Sequence, residues 1–479
     1  MKTHWPAVVI LVAYLVVGGL YASATPIWQA PDEPAHYNYI GSLATGEGMP
    51  VMASGDYDQT VLSELTSRRF PPELSVASLE YEDHQPPLYY LLQAPVYAIS
   101  RGSVLALRLA SVVMGAVSVA MVMAILVEFW PSQPGVAWFG GGLVAFVPQF
   151  VAITGSINND ALLFVLLWLW LWLALRYLRG TVSPWVLGAV AGGVLLTKST
   201  GYGVLPLMAL AVLLRYRRAG ADRTWLLRQL TAAFVPALAL GGLWWVRNLV
   251  VYGWPDVMGL IRHNAVVAGQ PETMDWIADQ GVWPFLRNAG RTVFRSFWGQ
   301  FGWMGVVVDQ RIYQGLLIFS GLTVFGGLVR LKEALRDELD PRQRDGLILV
   351  GGSAAITLVL FLGYNLTFVQ HQGRYLFPAL PLLALGAALG WRRLLEPRLA
   401  VVTSGVVLVV AAGVGVAGLL AGDASVWLVA MLGAAIIGVP AMAFVPERYH
   451  PLLGGVALAS FVAVDLWCLF GFIVPMLTL

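Results

Sequence analysis

The sequence predicts an all-α polytopic membrane protein with about thirteen transmembrane helices. Of its 479 residues, 58% are hydrophobic and only 12% are charged, and the mean hydropathy is +0.72. Apolar stretches of roughly 18 to 25 residues recur along the chain, which is the length that crosses a hydrocarbon layer about 30 Å thick. Trp and Tyr concentrate near the ends of these stretches, as amphipathic rings do at the headgroup level.

The apolar segments divide the chain into spans and loops. One stretch, PPLYYLLQAPVYAI at 86–99, has a proline in its middle and is too short to cross, so we expect it to lie along the membrane interface. The candidate spans lie at 5–25, 103–129, 136–153, 160–178, 184–198, 201–215, 231–251, 312–330, 346–364, 375–391, 399–421, 425–445 and 452–475.

The distribution of Arg and Lys predicts the orientation. With 86–99 lying flat, four loops on one side hold fifteen Arg and Lys, whereas the short loops on the other side hold only Arg374. The positive-inside rule assigns the basic side to the cytoplasm. The two long loops, 26–102 and 252–311, then lie on the outer side of the membrane, and loops of this length are usually functional. The basic loops are 176–183, 215–230, 330–346 and 391–399.

The first motif, PDEPAHYNYI at 31–40, follows the first span. Pro31 can take the first position of a helix, which puts Asp32 and Glu33 in the first turn, where they complement the helix dipole. Asp32 and His36 are four residues apart and share a helix face. A carboxylate beside an imidazole can serve as a general base or bind a divalent ion. The residues alone leave the structural and the chemical interpretation open.

A second polar cluster, EYEDHQPPLYYLL at 80–92, ends the same loop. Glu82, Asp83, His84 and Gln85 stand before two prolines that stiffen the entry to the interfacial stretch. Charge runs are usually hydrated loop ends, but paired carboxylates are also what acid and base steps at neutral pH require.

Two further ionisable residues are expected near the same surface. Asp160 follows two asparagines at the outer start of a span, where it is either a helix cap or a site residue. Lys198, in LLTKSTGY, either extends its ammonium group to the interface or binds an anion.

The cationic candidates lie in FVQHQGRYLFPALP at 368–381. His371, Arg374 and Tyr375 precede a span, and Arg suits bidentate recognition of phosphate. The structural alternative pairs Arg374 with an outer carboxylate. Arg247 near the outer end of its span is a weaker candidate of the same kind, and we expect Arg108 to be structural. Arg287, Arg291 and Arg295 recur every four residues among aromatic residues, which predicts an amphipathic interfacial helix without a catalytic role.

Composition and motifs exclude several classes of site. The single cysteine, Cys468, forms no intrachain disulfide and no thiolate metal cage. The net charge of +2 gives no reason to expect a nucleic-acid partner. No nucleotide-binding or hydrolase motif occurs in a supporting context, which argues against nucleotide-driven transport.

These motifs, in this order, resemble those of the GT-C glycosyltransferases. The resemblance rests on PDEPAHYNYI, on DHQPPLYYLL, on Asp160, on TKS around Lys198 and on GRYLFPALP. It is strongest to the branch of protein O-mannosyltransferases and lipid A aminoarabinose transferases, and to bacterial membrane proteins with the same PDEPAH and HQPPLYY signatures. It covers most of residues 1–390 and does not identify a substrate.

The resemblance implies a GT-C-like catalytic transmembrane domain at 1–391, with interfacial helices in the first outer loop, followed by C-terminal transmembrane helices at 392–479. It implies inverting transfer of a sugar from a polyprenyl-phosphate donor lipid to an acceptor hydroxyl on the outer side. The protein mannosyltransferases carry a large soluble insertion in a later loop that is missing from this sequence, which favours a lipid or glycan acceptor over a protein.

Roles for individual residues also follow from the resemblance. Asp32 would deprotonate the acceptor with Glu33 beside it, and Lys198 and Arg374 would bind the donor phosphate. The other expected substrate-site residues are His36, Asp83, His84, Gln85, Asp160, Arg247, His371 and Tyr375. The mannosyltransferases usually place His directly before the prolines, whereas Gln85 intervenes here. No cofactor is certain, and a divalent metal ion held by Asp32, Asp160 and His84 remains open.

Three other functions remain open from the sequence. A transporter of lipid-linked sugars predicts charges at the bilayer midplane and broken helices in paired positions. A polymerase or ligase of surface polysaccharide would rely on Arg and His in a large late outer loop, where Arg262 and His263 lie. A non-enzymatic assembly protein would leave Asp32 dispensable.

Overall fold

The computed structural model describes residues 4–267, 269–336, 339–422 and 425–479 and is almost entirely helical. Residues 1–3, 268, 337–338 and 423–424, which belong to the expected N-terminus and loops, lie outside the described residues. The N-terminal half contains α1 (Trp5–Ala24), α2 (Glu33–Thr45), α3 (Gln59–Ser67), α4 (Leu88–Ser100), α5 (Val104–Phe129), α6 (Pro134–Ala145), α7 (Pro148–Thr154), α8 (Asp160–Leu178), α9 (Pro184–Leu195), a 3-10 helix (Ser199–Gly203), α10 (Val204–Ala219) and α11 (Arg223–Tyr252).

The second half begins with the short helices of the second long loop. These are α12 (Leu260–Val266), α13 (Thr273–Gln280) and α14 (Val282–Trp298), followed by an antiparallel pair, β1 (Gln300–Phe301) and β2 (Val306–Val307). The remaining elements are α15 (Gln310–Arg336), α16 (Pro341–Thr367), a 3-10 helix (Gly373–Ala379), α17 (Leu380–Leu394), α18 (Pro397–Ala421), α19 (Val426–Ala443), a 3-10 helix (Glu447–Tyr449), α20 (His450–Trp467), a π-helix (Cys468–Ile473) and α21 (Val474–Leu477).

The membrane spans agree with those predicted from hydropathy, with two differences in shape. Within the described ranges, 11 helices are long and apolar enough to cross a membrane, and α6 and α7, which are bent by 67° at their junction, make a twelfth if the pair is counted as one span. The thirteenth expected span is α9, which has only 12 residues. It ends at Leu195, just before Lys198 and the 3-10 helix that leads into α10. The chain is therefore a multi-pass membrane protein of about thirteen apolar segments.

The spans differ in how deeply they lie in the bundle. In α8, 67% of the best apolar window is buried inside the protein, whereas in α18 and α19 only 17% is buried. Stacked aromatic rings, Phe150, Phe164 and Trp168, line the centre and contact Phe377. Apolar side chains of α20 join this main core. The proposed division at residue 391 stays a prediction.

The first long loop contains the expected short helices. The stretch predicted to lie flat forms α4, which has 13 residues and contains Pro95. Helices α2 and α4 pack together through Tyr39 and Tyr90, whose rings stack at 3.7 Å. A small core of its own, with Met52, Leu65 and Tyr81 among its members, also includes Val267 from the second long loop.

Helices α15 and α17 cross at small residues. A Cβ added at Gly390 would overlap the carbonyl oxygen of Thr323, and one at Gly326 would lie 2.6 Å from the carbonyl oxygen of Gly390. Small residues let membrane helices approach backbone to backbone, where dispersion contacts hold them.

We expect Gly390→Ala to lower the free energy of unfolding by about 1–3 kcal/mol, because the added methyl group forces the helices apart. Gly386→Ala is the matched control, since a Cβ there meets nothing within 4 Å, and it should change stability by less than about 0.5 kcal/mol. Thermal denaturation of the purified protein in detergent compares the two. Equal melting temperatures would contradict this account of the crossing.

Candidate active site

Helix α2 begins two residues later than the sequence predicts. Its first residue is Glu33, and Pro34 rather than Pro31 lies in the first turn. Asp32 precedes the helix with φ = +67°, a left-handed conformation that Asp tolerates better than most residues. Its carboxylate makes no capping hydrogen bond to the helix. The placement of Asp32 in the first turn was therefore wrong, because the left-handed residue breaks the helical run there.

The Asp32 carboxylate instead pairs with two distant side chains. Arg374 donates from Nη2 to Asp32 Oδ2 at 2.7 Å, and the Tyr81 hydroxyl donates to Oδ1 at 3.1 Å. The side chain of Arg374 is only 5% exposed, whereas that of Asp32 is 23% exposed. The carboxylate is thus held by buried partners but can still be reached from outside.

A second ion pair lies beside the first. Lys198, just after α9, donates to Oδ1 of Asp160 at 2.6 Å. Asp160 is the first residue of α8. The backbone N–H of Leu88 donates to the carbonyl oxygen of Leu196 at 2.8 Å, which joins the start of α4 to the chain two residues before Lys198.

His36 lies among these charges. It interacts electrostatically with Asp32, Asp160, Lys198 and Arg374. Its Nδ1 forms a hydrogen bond with the hydroxyl of Tyr90 at 2.9 Å. Burial lowers the pKa of His36 to about 3, which outweighs the neighbouring carboxylates, so the imidazole is neutral at neutral pH. It adds no positive charge to the site.

The two carboxyl groups that face this cluster differ in protonation. Burial opposes ionisation of Asp32, but Arg374 and the neighbouring cations keep the pKa of Asp32 below its ordinary value. Burial and the charge of Asp32 raise the pKa of Glu82 to about 8. The site therefore places a carboxyl group that ionises readily beside one that retains its proton, an arrangement typical of sites that move protons.

Glu33 does not face the cluster. Its two oxygens accept from Nε and Nη2 of Arg108 at 2.7 and 2.6 Å, and the backbone N–H groups of Trp28 and Ile157 complete its partners at 3.2 Å. Both side chains of the pair are at most 3% exposed. Arg108 also donates to the carbonyl oxygens of Ala22, Thr25 and Pro26. This geometry favours a positioning role for Glu33 and agrees with the structural role expected for Arg108.

Asp83, His84 and Gln85 of the second motif form no hydrogen bond or ion pair with Asp32 in the described part of the chain, although His84 interacts electrostatically with Lys198 and His36. Asp83 lies beside Asp56 and Glu80, and burial together with Glu80 raises the pKa of Asp83 to about 8. The His84 ring lies 4.1 Å from the ring of His263. Burial and His263 lower the pKa of His84. Gln85 is within hydrogen-bond distance of the His84 ring, at 3.2 Å.

Of the remaining predicted residues, Tyr375 joins the cluster, whereas His371 and Arg247 do not. Arg374 lies over the ring of Tyr375, 5.3 Å from its centroid. His371 packs 5.0 Å from the ring of Phe285 in the second loop. Arg247 donates to the hydroxyl of Tyr252 at 3.2 Å and to the carbonyl oxygen of Pro50. It therefore ties the first loop to the end of α11.

The expected metal ligands are not brought together. Over the described part of the chain, the group of three acidic or imidazole residues whose ligand atoms lie within 4.8 Å of one another is Asp56, Glu80 and Asp83. Asp32 and Asp160 each pair with a cation, and His84 turns towards His263. The structure thus gives no support to a metal held by Asp32, Asp160 and His84.

Two residues of the cluster, Tyr81 and Tyr90, were missed as candidates, and Glu82 was named in the second motif without a role at the site. All lie within EYEDHQPPLYYLL, between or beside residues that were chosen. The motif marked this segment of the loop as a candidate site, but the order of its residues did not show which side chains face the cluster. Which members of a four-residue turn face Asp32 depends on the fold of the loop.

Comparisons with known proteins agree with the fold. Residues 84–245, about a third of the chain, match the family described as dolichyl-phosphate-mannose-protein mannosyltransferase. The chain resembles the crystal structure of ArnT from Cupriavidus metallidurans bound to undecaprenyl phosphate, with a TM-score of 0.54 and 16% identity over 100% of this chain and 77% of that one. For ArnT in the apo state the TM-score is 0.53 with 18% identity, over 98% and 76%. No curated protein sequence matches the chain. The resemblance to the GT-C superfamily is confirmed at the level of the fold.

We expect Glu33→Gln to lower the free energy of unfolding by about 3–5 kcal/mol, because it leaves the buried Arg108 guanidinium without a counter-charge. The matched control is Glu64→Gln, which removes a carboxylate that is 55% exposed and paired with Arg68. It should cost at most about 1 kcal/mol. Thermal denaturation in detergent measures both, and a Glu33 variant as stable as the control would contradict the anchoring role.

Proposed function

We propose that the chain transfers a sugar from a polyprenyl-phosphate donor to a hydroxyl group of an acceptor, on the outer face of a bacterial plasma membrane. The observation that carries the proposal is the partly exposed Asp32 carboxylate held against the buried Arg374. The fold shared with ArnT and the match to the mannosyltransferase family support the same reaction class.

The donor phosphate has a binding site in the cations of the cluster. Among the described residues, Nε and Nη1 of Arg374 have no hydrogen-bond partner although both atoms are buried. Unpaired guanidinium donors are costly in a buried site, and they match the oxygens of a phosphate. Lys198 adds a second positive charge at the same end of the bundle. A polyprenyl phosphate leaves as a stabilised anion, so these cations can hold it without acid assistance.

Asp32 then acts as the general base. The acceptor oxygen forms a bond to the anomeric carbon as the bond to the phosphate oxygen breaks on the opposite face, which inverts the configuration. The acceptor proton passes to the Asp32 carboxylate. Phosphate binding draws Arg374 partly away from Asp32, which raises the basicity of the carboxylate when the donor is present. Glu33 acts through Arg108 by fixing the chain on which Asp32 lies.

The geometry favours this function over the alternatives. Asp32, Asp160, Lys198 and Arg374 all lie at helix termini that meet at one end of the bundle, whereas a transporter calls for charges near the bilayer midplane. Arg262 of the second loop donates from Nε to the carbonyl oxygen of Met52, a structural contact rather than a free polymerase cation. The acceptor is a lipid or glycan, in keeping with the missing soluble insertion.

We expect Asp32→Asn to reduce kcat for sugar transfer by about 10²- to 10⁴-fold, the contribution typical of a positioned general base. The variant should still fold and still bind donor lipid. Glu64→Gln is the matched control, since it removes an exposed carboxylate of the same loop, and it should keep full activity. A membrane assay with labelled donor lipid makes the comparison, and full activity of Asp32→Asn would falsify the assignment.

We expect Arg374→Gln to raise the KM for donor lipid by roughly 10- to 100-fold, because charge-assisted hydrogen bonds to the phosphate are lost. It should also move the acidic limb of the kcat/KM profile to higher pH. The reason is that Arg374 holds the pKa of Asp32 down while burial acts to raise it. Arg291→Gln, in an exposed position on α14, is the control. An acidic limb that does not move would show that Asp32 is not the titrating base.

A further inference from the structure

Three carboxylate side chains meet in the first long loop, beside the turn that carries Tyr81 and Glu82. Ligand atoms of Asp56, Glu80 and Asp83 all lie within 4.8 Å of one another. Asp56 is 8% exposed and Asp83 is 2% exposed, and Glu80 is half-buried. Like charges this close are unfavourable unless a proton or a cation lies between them.

The cluster also has an unused buried ligand atom. Oδ1 of Asp83 is fully buried and has no hydrogen-bond partner among the described residues. Asp56 is satisfied on one side, since its Oδ2 accepts from the backbone N–H of Ala53 at 2.5 Å. A buried acceptor without a donor costs free energy, and a cation removes that cost.

The nearest guanidinium groups are held elsewhere. Arg247 donates to Tyr252, Asn248 and Pro50, and Arg262 donates to Met52. Across the described ranges, no salt bridge within 4.0 Å reaches the three carboxylates. Arg262 and Arg247 interact electrostatically with Asp56 and Asp83, but neither forms an ion pair with them, so the cluster has no directly paired cation among the described residues.

We propose that Asp56, Glu80 and Asp83 bind a Ca²⁺ ion. The donor set contains only carboxylate oxygens, which suit a hard cation, whereas Zn²⁺ prefers nitrogen and sulfur ligands. Ca²⁺ accepts six to eight oxygens in irregular geometry, with carboxylates binding through one or both oxygens and water filling the remaining positions. Mg²⁺ requires a near-ideal octahedron that three carboxylates from two separate loop segments do not favour.

The ion would stabilise the turn that contacts the active site. The backbone N–H of Asp83 donates to the carbonyl oxygen of Glu80 at 3.1 Å, which closes the turn. The two end residues face the acidic cluster, while Tyr81 donates to Asp32 and Glu82 interacts with Asp32 and Arg374. Ca²⁺ thus acts as a structural ion that positions Tyr81 against the base. This effect on catalysis rests on the proposed function, whereas the binding of the ion does not.

Terbium luminescence tests the site directly, since Tb³⁺ occupies Ca²⁺ sites and is excited through nearby aromatic rings. Tyr57 and Tyr81 lie beside the cluster, and the centroids of their rings are 5.6 Å apart. We expect the purified full-length protein in detergent to give Tb³⁺ emission that Ca²⁺ displaces. The emission should fall at least fivefold in Glu80→Gln and Asp83→Asn and persist in Glu73→Gln, which removes an exposed carboxylate of the same loop. Equal emission from all four proteins would overturn the proposal.

Thermal denaturation provides a second readout that separates a cation site from a proton-sharing cluster. With about 1 mM Ca²⁺, the range in which extracellular sites are filled, the wild-type melting temperature should rise by about 2 °C or more. Glu80→Gln should show no such rise, and in chelator it should melt no lower than the wild type, because it relieves the repulsion. A rise with Mg²⁺ but not with Ca²⁺ would overturn the choice of ion.

Sugar transfer distinguishes failure of the site from failure of the proposed function. We expect chelation to lower kcat of the wild type severalfold, and Ca²⁺ to restore it. If the wild type binds Tb³⁺ but Asp32→Asn is fully active, the cation site stands and the assignment of Asp32 as the base is refuted. If Asp32→Asn is inactive but the wild type does not bind Tb³⁺, the base stands and the cation site is refuted.

Discussion

The ion pair between Glu33 and Arg108 is the contact on which the geometry of the site depends. Arg108 lies on α5 and donates to carbonyl oxygens at the end of α1 and in the segment after it. Glu33 begins α2 and accepts from the N–H of Ile157, three residues before Asp160. This buried pair therefore joins α1, α5, α2 and the segment that leads into α8. Buried ion pairs persist only where hydrogen bonds satisfy nearly every polar atom, as they do here.

Two adjacent carboxylates, Asp32 and Glu33, lie in different surroundings, which fit the different roles proposed for them. Glu33 is fully buried and has both oxygens occupied by a guanidinium and by backbone donors. Asp32 turns the other way through its left-handed backbone and keeps part of its surface open to solvent. A carboxylate that exchanges protons needs access and an adjustable partner, whereas a structural one needs neither. The chain provides both within two consecutive residues.

The sequence predicts the spans and the candidate motifs because hydropathy and interfacial aromatic residues are local properties. It predicts that Asp32, Asp160, Lys198 and Arg374 share one end of the bundle, since each lies at a span terminus. It does not predict which residues pair, because Asp32 and Arg374 are 342 positions apart and meet only in the folded bundle. Hydropathy and helical periodicity do not determine individual backbone angles. They therefore predict neither the residue at which α2 begins nor the direction in which the side chains of Tyr81 and Glu82 point.

The small core of the first loop includes residues of the second, and this limits how the protein can be rebuilt. Val267 and Trp303 pack against the cluster around Met52, Leu65 and Phe70. The backbone N–H of Met52 donates to the hydroxyl of Tyr252, 200 positions away in the sequence. The two long loops therefore form one folding unit in spite of their separation in the sequence. A chimera that exchanges either loop alone with a relative would split that unit, so both loops have to be transplanted together.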